Sequence, residues 1–211
     1  MNNFSYYNPT RYVFGTGEYR TIGTLLQGST DIELNDYGRE LARITSEAMK
    51  DVPFEIIYSS PLVRARDTAE IMRRDRKIPI MVDERLREMN FGVLEGEYLP
   101  DMEKDHASQL YYLNREPDKY IPENGESFEQ VTERAREFIE QVLVPAKEKY
   151  DTVLIAAHGA LIRCFLRCIE HREIRDFWKC APHRNCAVTL VEMDGQGGLR
   201  IVEEGKLCYE P

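Results

Sequence analysis

Val153-Leu154-Ile155-Ala156-Ala157 is apolar at every position and stops at His158-Gly159. A strand with one wet face alternates polar and apolar side chains, so an unbroken run, β-branched early, reads as a strand from Thr152 buried on both faces. Such a strand needs helices above and below its sheet. The rest of the chain supplies them in alternation. Asn35 is placed to cap a helix whose apolar positions are Leu41, Ile44, Ala48 and Met49. Phe54 to Tyr58 reads as a short strand, Ser59-Ser60-Pro61 as the turn into a helix reaching about Arg73, and Pro79 to Val82 as another extended run. Ser127 and Gln130 form a capping box for a long helix with an apolar face of Phe128, Val131, Ala135, Phe138, Ile139 and Val142. Cys186 to Met193 and Leu199 to Glu203 read as a hairpin around Asp194-Gly195-Gln196-Gly197-Gly198. The expectation is an α/β fold, a three-layer α/β/α sandwich with a mostly parallel central sheet. No repeat or linker divides the 211 residues, so one domain is expected over 1–211, with an irregular lid-like insertion at about 91–125.

Charge narrows the partners. With 28 Lys+Arg against 37 Asp+Glu the chain carries a formal −9, giving no general attraction for nucleic acid or an acidic bilayer. Any phosphate site is then a local cluster. No apolar run approaches the roughly 18 residues of a bilayer span, and no secretory signal is visible at the N-terminus. Five cysteines, an odd number without Cys-x-x-Cys spacing, suit a reducing cytoplasm. Cys164 and Cys168, four apart, would with His171 or His183 offer a metal seat, but buried thiols are the plainer reading, and no metal or other cofactor is expected.

In open α/β sheets ligands bind beyond the carboxyl ends of the strands. Three places there carry reactive groups: Ser59 to Ala69, with Arg64 in the first turn of a helix; Arg85 to Gly92, with Glu88; and His158 to Arg163. An ordinary solvated face would also carry Arg64 and Arg66 beside Asp67 and Glu70, and Glu88 among arginines reads equally as a surface ion pair. An imidazole at the exit of a buried strand is harder to dismiss.

Together these segments resemble the histidine phosphatase superfamily, the phosphoglycerate mutase-like fold, over almost the whole chain. Gln27 to Asn35 with Gly38-Arg39, Ser59-Ser60-Pro61-Leu62 with Arg64-Ala65 and Thr68-Ala69, and Arg85-Leu86-Arg87-Glu88 with Phe91-Gly92 and Glu95-Gly96 match its motifs, as do Asn124-Gly125-Glu126-Ser127 and Ala157-His158-Gly159 with Ile162-Arg163. The resemblance implies that Arg64 and His158 bind a phosphoryl group, that Glu88 is a general acid, and that no metal is required. It implies as partner a small phosphorylated metabolite or inorganic phosphate.

The family's nucleophile lies in an Arg-His-Gly tripeptide after its first strand, and this chain has none. An ungapped alignment puts Phe14 at the nucleophile; matching Gly17-Glu18 instead puts Thr16 there. Neither side chain forms a phosphohistidine, so impaired turnover is expected. Two origins are open: a natural pseudoenzyme, or a lesion in the coding sequence, since codons for Phe14 to Gly17 exist that spell Arg-His-Gly in a neighbouring frame. The leading reading is a phosphomonoesterase scaffold without its nucleophile; the alternatives are mutase-type phosphoryl transfer and a non-catalytic phosphometabolite-binding protein. Shortness, and Ala160-Leu161-Ile162-Arg163 where mutases carry Asn-Ser-Leu-Arg, favour phosphatase over mutase. Tyr111, Tyr112 and Tyr120 in the insertion either meet an apolar leaving group or cover the core.

Overall fold

The structure, a computed structural model, describes residues 10–16, 25–179, 181 and 183–210. Its strands are β1 (Thr10–Thr16), β2 (Ile56–Ser59), β3 (Ile80–Val82), β4 (Thr152–Ala157), β5 (Val188–Met193) and β6 (Leu199–Lys206). They form one sheet in the order β3-β2-β4-β1-β5-β6. β1 to β4 are mutually parallel and β5-β6 is an antiparallel hairpin, β5 also running antiparallel to β1. The expected sandwich is therefore the observed one.

Burial explains the layering. All six residues of β4 are buried. Val153, Ile155 and Ala157 face one core with Ile56, Val191 and Met193, while Leu154 and Ala156 face another with Ile57 and Val188. Successive strand residues point to opposite faces, which is why both faces need cover. Burying Val153, Leu154 and Ile155 contributes roughly 1.5–3 kcal/mol each. Helices α1 (Asp36–Ala48) and α2 (Val63–Arg73) cover one face. The other is covered by α4 (Phe128–Phe138), prolonged by a π turn (Ile139–Leu143) and the short α5 (Val144–Ala146), together with α6 (Gly159–Glu170). A further short helix, α3 (Gln109–Arg115), lies in the segment before α4.

Asn35 caps α1 by accepting from the Gly38 amide at 2.8 Å, and both halves of the Ser127/Gln130 capping box are present on α4. The inward face of α1 differs from expectation. Ile44 and Ala48 are exposed, and the buried positions are Gly38, Leu41, Ala42, Thr45 and Ser46, with Met49 at the C-cap. Ser46 is tolerated inside because its hydroxyl donates to the Ile71 carbonyl of α2 at 2.9 Å. The first short strand also begins two residues later than its composition suggests, at Ile56.

Residues 91–125 hold short 3-10 turns and α3. Phe91, Leu113 and Tyr120 are buried in the core cluster and Tyr112 packs against it, so two of the three tyrosines in question cover the core. Tyr111 stacks on His106, with ring centroids 4.6 Å apart. Cys164 and Cys168 turn their thiols to the Phe128 and Thr132 carbonyls of α4 rather than to a histidine. Burial raises both thiols, Cys164 to about 12. Among the described residues no group of three His, Cys, Asp or Glu side chains converges to hold a metal, and no helix is long and apolar enough to cross a membrane.

Candidate active site

β2 and β4 lie side by side, and each feeds a helix at its carboxyl end. Ser60 follows β2 and His158 follows β4. The Ser60 amide donates to the Ala156 carbonyl at 2.9 Å, carrying the pairing one residue past the strand. The Ser60 hydroxyl thereby sits 2.8 Å from Nε2 of His158. That hydroxyl oxygen also accepts the Leu62 amide at 3.2 Å. With its own proton donated to Nε2, the neutral imidazole carries its hydrogen on Nδ1. Nδ1 is buried and has no hydrogen-bond partner among the described residues.

His158 is fully buried. Burial pushes its pKa well below the usual imidazole value, and the positive charges of Arg64, Arg134 and Arg87 push the same way. It is therefore neutral near pH 7. Replacing Ser60 by alanine leaves Nε2 without that partner in a dry site and is expected to destabilise the fold by about 1–3 kcal/mol. Urea unfolding at constant pH checks it, with a loss below the low end placing the bond elsewhere.

Glu88 comes from a different segment and meets His158 through the helix that follows it. Its carboxylate accepts the Leu161 amide at 3.0 Å on Oε1 and the Ala160 amide at 3.1 Å on Oε2, together with its neighbour Met89 at 2.8 Å. His158, the N-cap of α6, makes no side-chain cap bond, so Glu88 occupies the first-turn amides from outside. Burial raises the Glu88 pKa, opposed by these amides and by the charge of Arg64. An acid held so is nearer to carrying a proton at neutral pH than an exposed one.

Arg64 stands in the first turn of α2, 2% exposed, while Arg66 is exposed on the opposite side. Its Nη2 donates to the Gly28 carbonyl at 2.6 Å and Nη1 to the Thr30 carbonyl at 2.8 Å. Asp31 of the same loop accepts the Val63 amide at 2.7 Å, holding the start of α2. Arg64 acts electrostatically on both Glu88 and His158, so the guanidinium, the carboxyl and the imidazole share one charge neighbourhood at the carboxyl edge of β2 and β4. Two cationic or hydrogen-donating groups and one acid are what a tetrahedral oxyanion with a leaving oxygen requires.

Arg134 was not legible as a site residue. From α4 it donates to the carbonyls of Arg85, Arg87 and Glu88 at 2.8, 2.7 and 3.2 Å and pairs with Glu126 through Nε and Nη2 at 2.8 and 3.0 Å. It thus grips the backbone that carries Glu88. Its only advance signal is a charged residue on a helix opening with Glu126-Ser127.

Phe14 and Thr16 lie on β1. In the parallel register with β4, Phe14 is paired with Ile155 and Thr16 with Ala157, the residue before His158. The segment after Thr16, with Gly17, Glu18 and Arg20, lies outside the described residues.

A six-stranded, mostly parallel sandwich with this set at its carboxyl edge defines a phosphoglycerate mutase-like protein. A model of the histidine phosphatase superfamily (branch 1) matches residues 15–203, and the chain belongs to that superfamily. It is 31% identical over 192 residues to "Putative phosphoserine phosphatase 2" of Hydrogenobacter thermophilus, covering 91% of this chain and 92% of that protein. With "Uncharacterized phosphatase PhoE" of Bacillus subtilis it shares 38% over 140 residues, 66% of each chain. Among solved structures, YhfR of Bacillus stearothermophilus superposes with a TM-score of 0.85 at 28% identity, covering 94% of this chain and 98% of that one. Mycobacterial glucosyl-3-phosphoglycerate phosphatase Rv2419c with inorganic phosphate shares the fold at a TM-score of 0.78 and 23% identity, covering 94% and 98%.

Proposed function

We propose that this chain is a phosphomonoesterase scaffold that takes the phosphoryl group of a small phosphorylated metabolite between Arg64 and His158, with Glu88 as general acid, and lacks the nucleophile at position 16. The observation that carries the reading is His158 itself: a buried, neutral imidazole whose Nε2 is engaged by Ser60 and whose Nδ1 has no described partner. Nδ1–H donates to one phosphoryl oxygen, and the Arg64 guanidinium offsets the charge of the others.

In the complete reaction a histidine nitrogen attacks phosphorus and an N–P bond forms as the P–O bond to the leaving group breaks. Glu88 gives its proton to the leaving oxygen. Water, losing a proton to the Glu88 carboxylate, then attacks phosphorus; the N–P bond breaks, and phosphate and the free histidine are released. The attacking nitrogen is what this chain does not have. Position 16 is assigned over position 14 because Phe14 pairs three residues back from His158, about 10 Å down the sheet at 3.3 Å per residue. Residues 91–125, which pack beside the Glu88 segment, act as the lid that reads the leaving group.

The test is a titration with inorganic phosphate and a parallel assay on an aryl phosphate. Saturable binding is expected, weakened at least tenfold, about 1.4 kcal/mol, by Arg64→Ala or His158→Ala, with turnover near background. Robust turnover that survives His158→Ala would put the pocket elsewhere.

A further inference from the structure

The seat of Arg64 is a loop, and the loop has its own support. Glu95 reaches it from 65 to 66 residues away in sequence. Oε1 of Glu95 accepts the Ser29 amide at 2.7 Å, the Ser29 hydroxyl at 3.0 Å and the Phe91 amide at 3.2 Å. Oε2 accepts the Thr30 amide at 3.0 Å and also the Thr30 hydroxyl. A carboxylate has about four lone-pair sites, so this one is fully committed to donors of the loop and of the segment carrying Glu95 itself. With these amides turned toward Glu95, the carbonyls of Gly28 and Thr30 turn toward Arg64.

Gly28 is part of the same device. It has φ +61, and a Cβ built there lies 2.2 Å from Oε1 of Glu95 and 2.8 Å from Cδ2 of Phe91. Only a glycine leaves room for both the left-handed turn and the carboxylate. Adjacent chain crossings hold the same two segments together: the Leu26 amide donates to the Glu97 carbonyl at 2.9 Å, and the Gly96 amide to the Leu26 carbonyl at 2.7 Å.

We propose that Glu95 is a positioning residue for phosphoryl binding: it sets the 28–30 loop so that the Gly28 and Thr30 carbonyls hold the Arg64 guanidinium toward the site. The proposal rests on the reading of Arg64 as a phosphate ligand. It makes Glu95 act through Arg64 without touching the phosphoryl group, and it predicts coupling between the two residues rather than two separate losses.

The test is a double-mutant cycle on the affinity for inorganic phosphate, measured by calorimetric titration of the full chain, Glu95→Ala, Arg64→Ala and the double variant, with thermal unfolding run alongside. Glu95→Ala is expected to weaken phosphate binding by about 10- to 100-fold, the scale of losing a charge-assisted hydrogen bond. Adding it to Arg64→Ala is expected to change the affinity by less than about twofold. Glu95→Gln, which keeps the shape but turns a donor toward the loop amides, falls between; it and Gly28→Ala replace Glu95→Ala if that variant does not fold. A lowered melting temperature with unchanged phosphate affinity, or additive losses in the cycle, overturns the positioning role and leaves the phosphate site standing. Phosphate affinity indifferent to Arg64→Ala overturns the site reading, and this proposal with it.

Discussion

Replacing Gly15 by arginine and Thr16 by histidine is expected to raise turnover of an aryl phosphate by about five to six powers of ten. That is the scale lost when a covalent nucleophile is removed from a working site whose other groups remain. The pair restores Arg-His-Gly against the existing Gly17. It does so at the end of β1, where position 16 is paired with Ala157 and so stands one row from His158. The control is the other alignment. Val13→Arg with Phe14→His restores the same tripeptide against Gly15, but in a row whose β4 partner is Ile155, itself buried, in a strand with a neighbour on each side. That variant is expected to gain nothing and to lose stability by introducing charge into an interior strand.

A gain from the second pair and none from the first would reverse the placement of the nucleophile. A gain from neither, with phosphate binding intact, would mean that the nucleophile alone does not restore phosphoryl transfer, as in a protein long adapted to binding alone. The coding sequence separates the origins independently. Codons for Phe14 to Gly17 that cannot yield Arg-His-Gly in a neighbouring frame exclude a recent lesion.

What the sequence made legible follows from which interactions are local. The run from Val153 to Ala157 announces a doubly covered strand because burial on both faces admits no polar residue, and the Ser127/Gln130 box is a contact across three residues. The helix α1 departs from its apolar spacing at Ile44 and Ala48 because Thr45 and Ser46, both polar, face inward, and Ser46 is satisfied only by the Ile71 carbonyl of α2. The site divides in the same way. Arg64, Glu88 and His158, the candidate residues, each follow a recognisable strand or motif, so the sequence alone points to them. It does not point to their supports: Ser60 binds His158 across 98 residues, Glu95 binds Thr30 across 65, and Arg134 grips the Glu88 carbonyl across 46. Long-range hydrogen bonds leave no period or spacing in a single sequence. Glu95 stands in the sequence only as part of a motif, with nothing to say which atoms it holds.

Acid is expected to unfold this protein early, and His183 supplies a measurable share of that sensitivity. His183 is buried, its Nε2 lying 3.2 Å from the Thr189 hydroxyl. Burial lowers its pKa to about 4 from an ordinary 6.5; the charges of Arg163 and Arg172 lower it further, while Glu204, 4.0 Å away, and the Ala181 backbone oppose them. The folded state therefore binds the proton less well than the unfolded chain. Stability from this group is fully present above pH 6.5 and is lost as pH falls toward 4, with a slope of one proton. Over that window the loss is roughly 3 kcal/mol at 1.36 kcal/mol per unit, a large part of a typical 5–15 kcal/mol fold. His158, also depressed, adds to the slope, whereas Glu88, raised by burial, gives the opposite slope from about 4.5 upward. A single curve thus mixes three groups, and the difference from His183→Gln isolates one. Urea unfolding of both proteins at intervals between pH 7.5 and 4.5 should show the gap closing as pH falls, the parent losing about one proton's worth more per unit. Parallel curves would mean that His183 titrates alike in the folded and unfolded chain, and that the Arg172–Glu204 pair beside it lets water reach the ring.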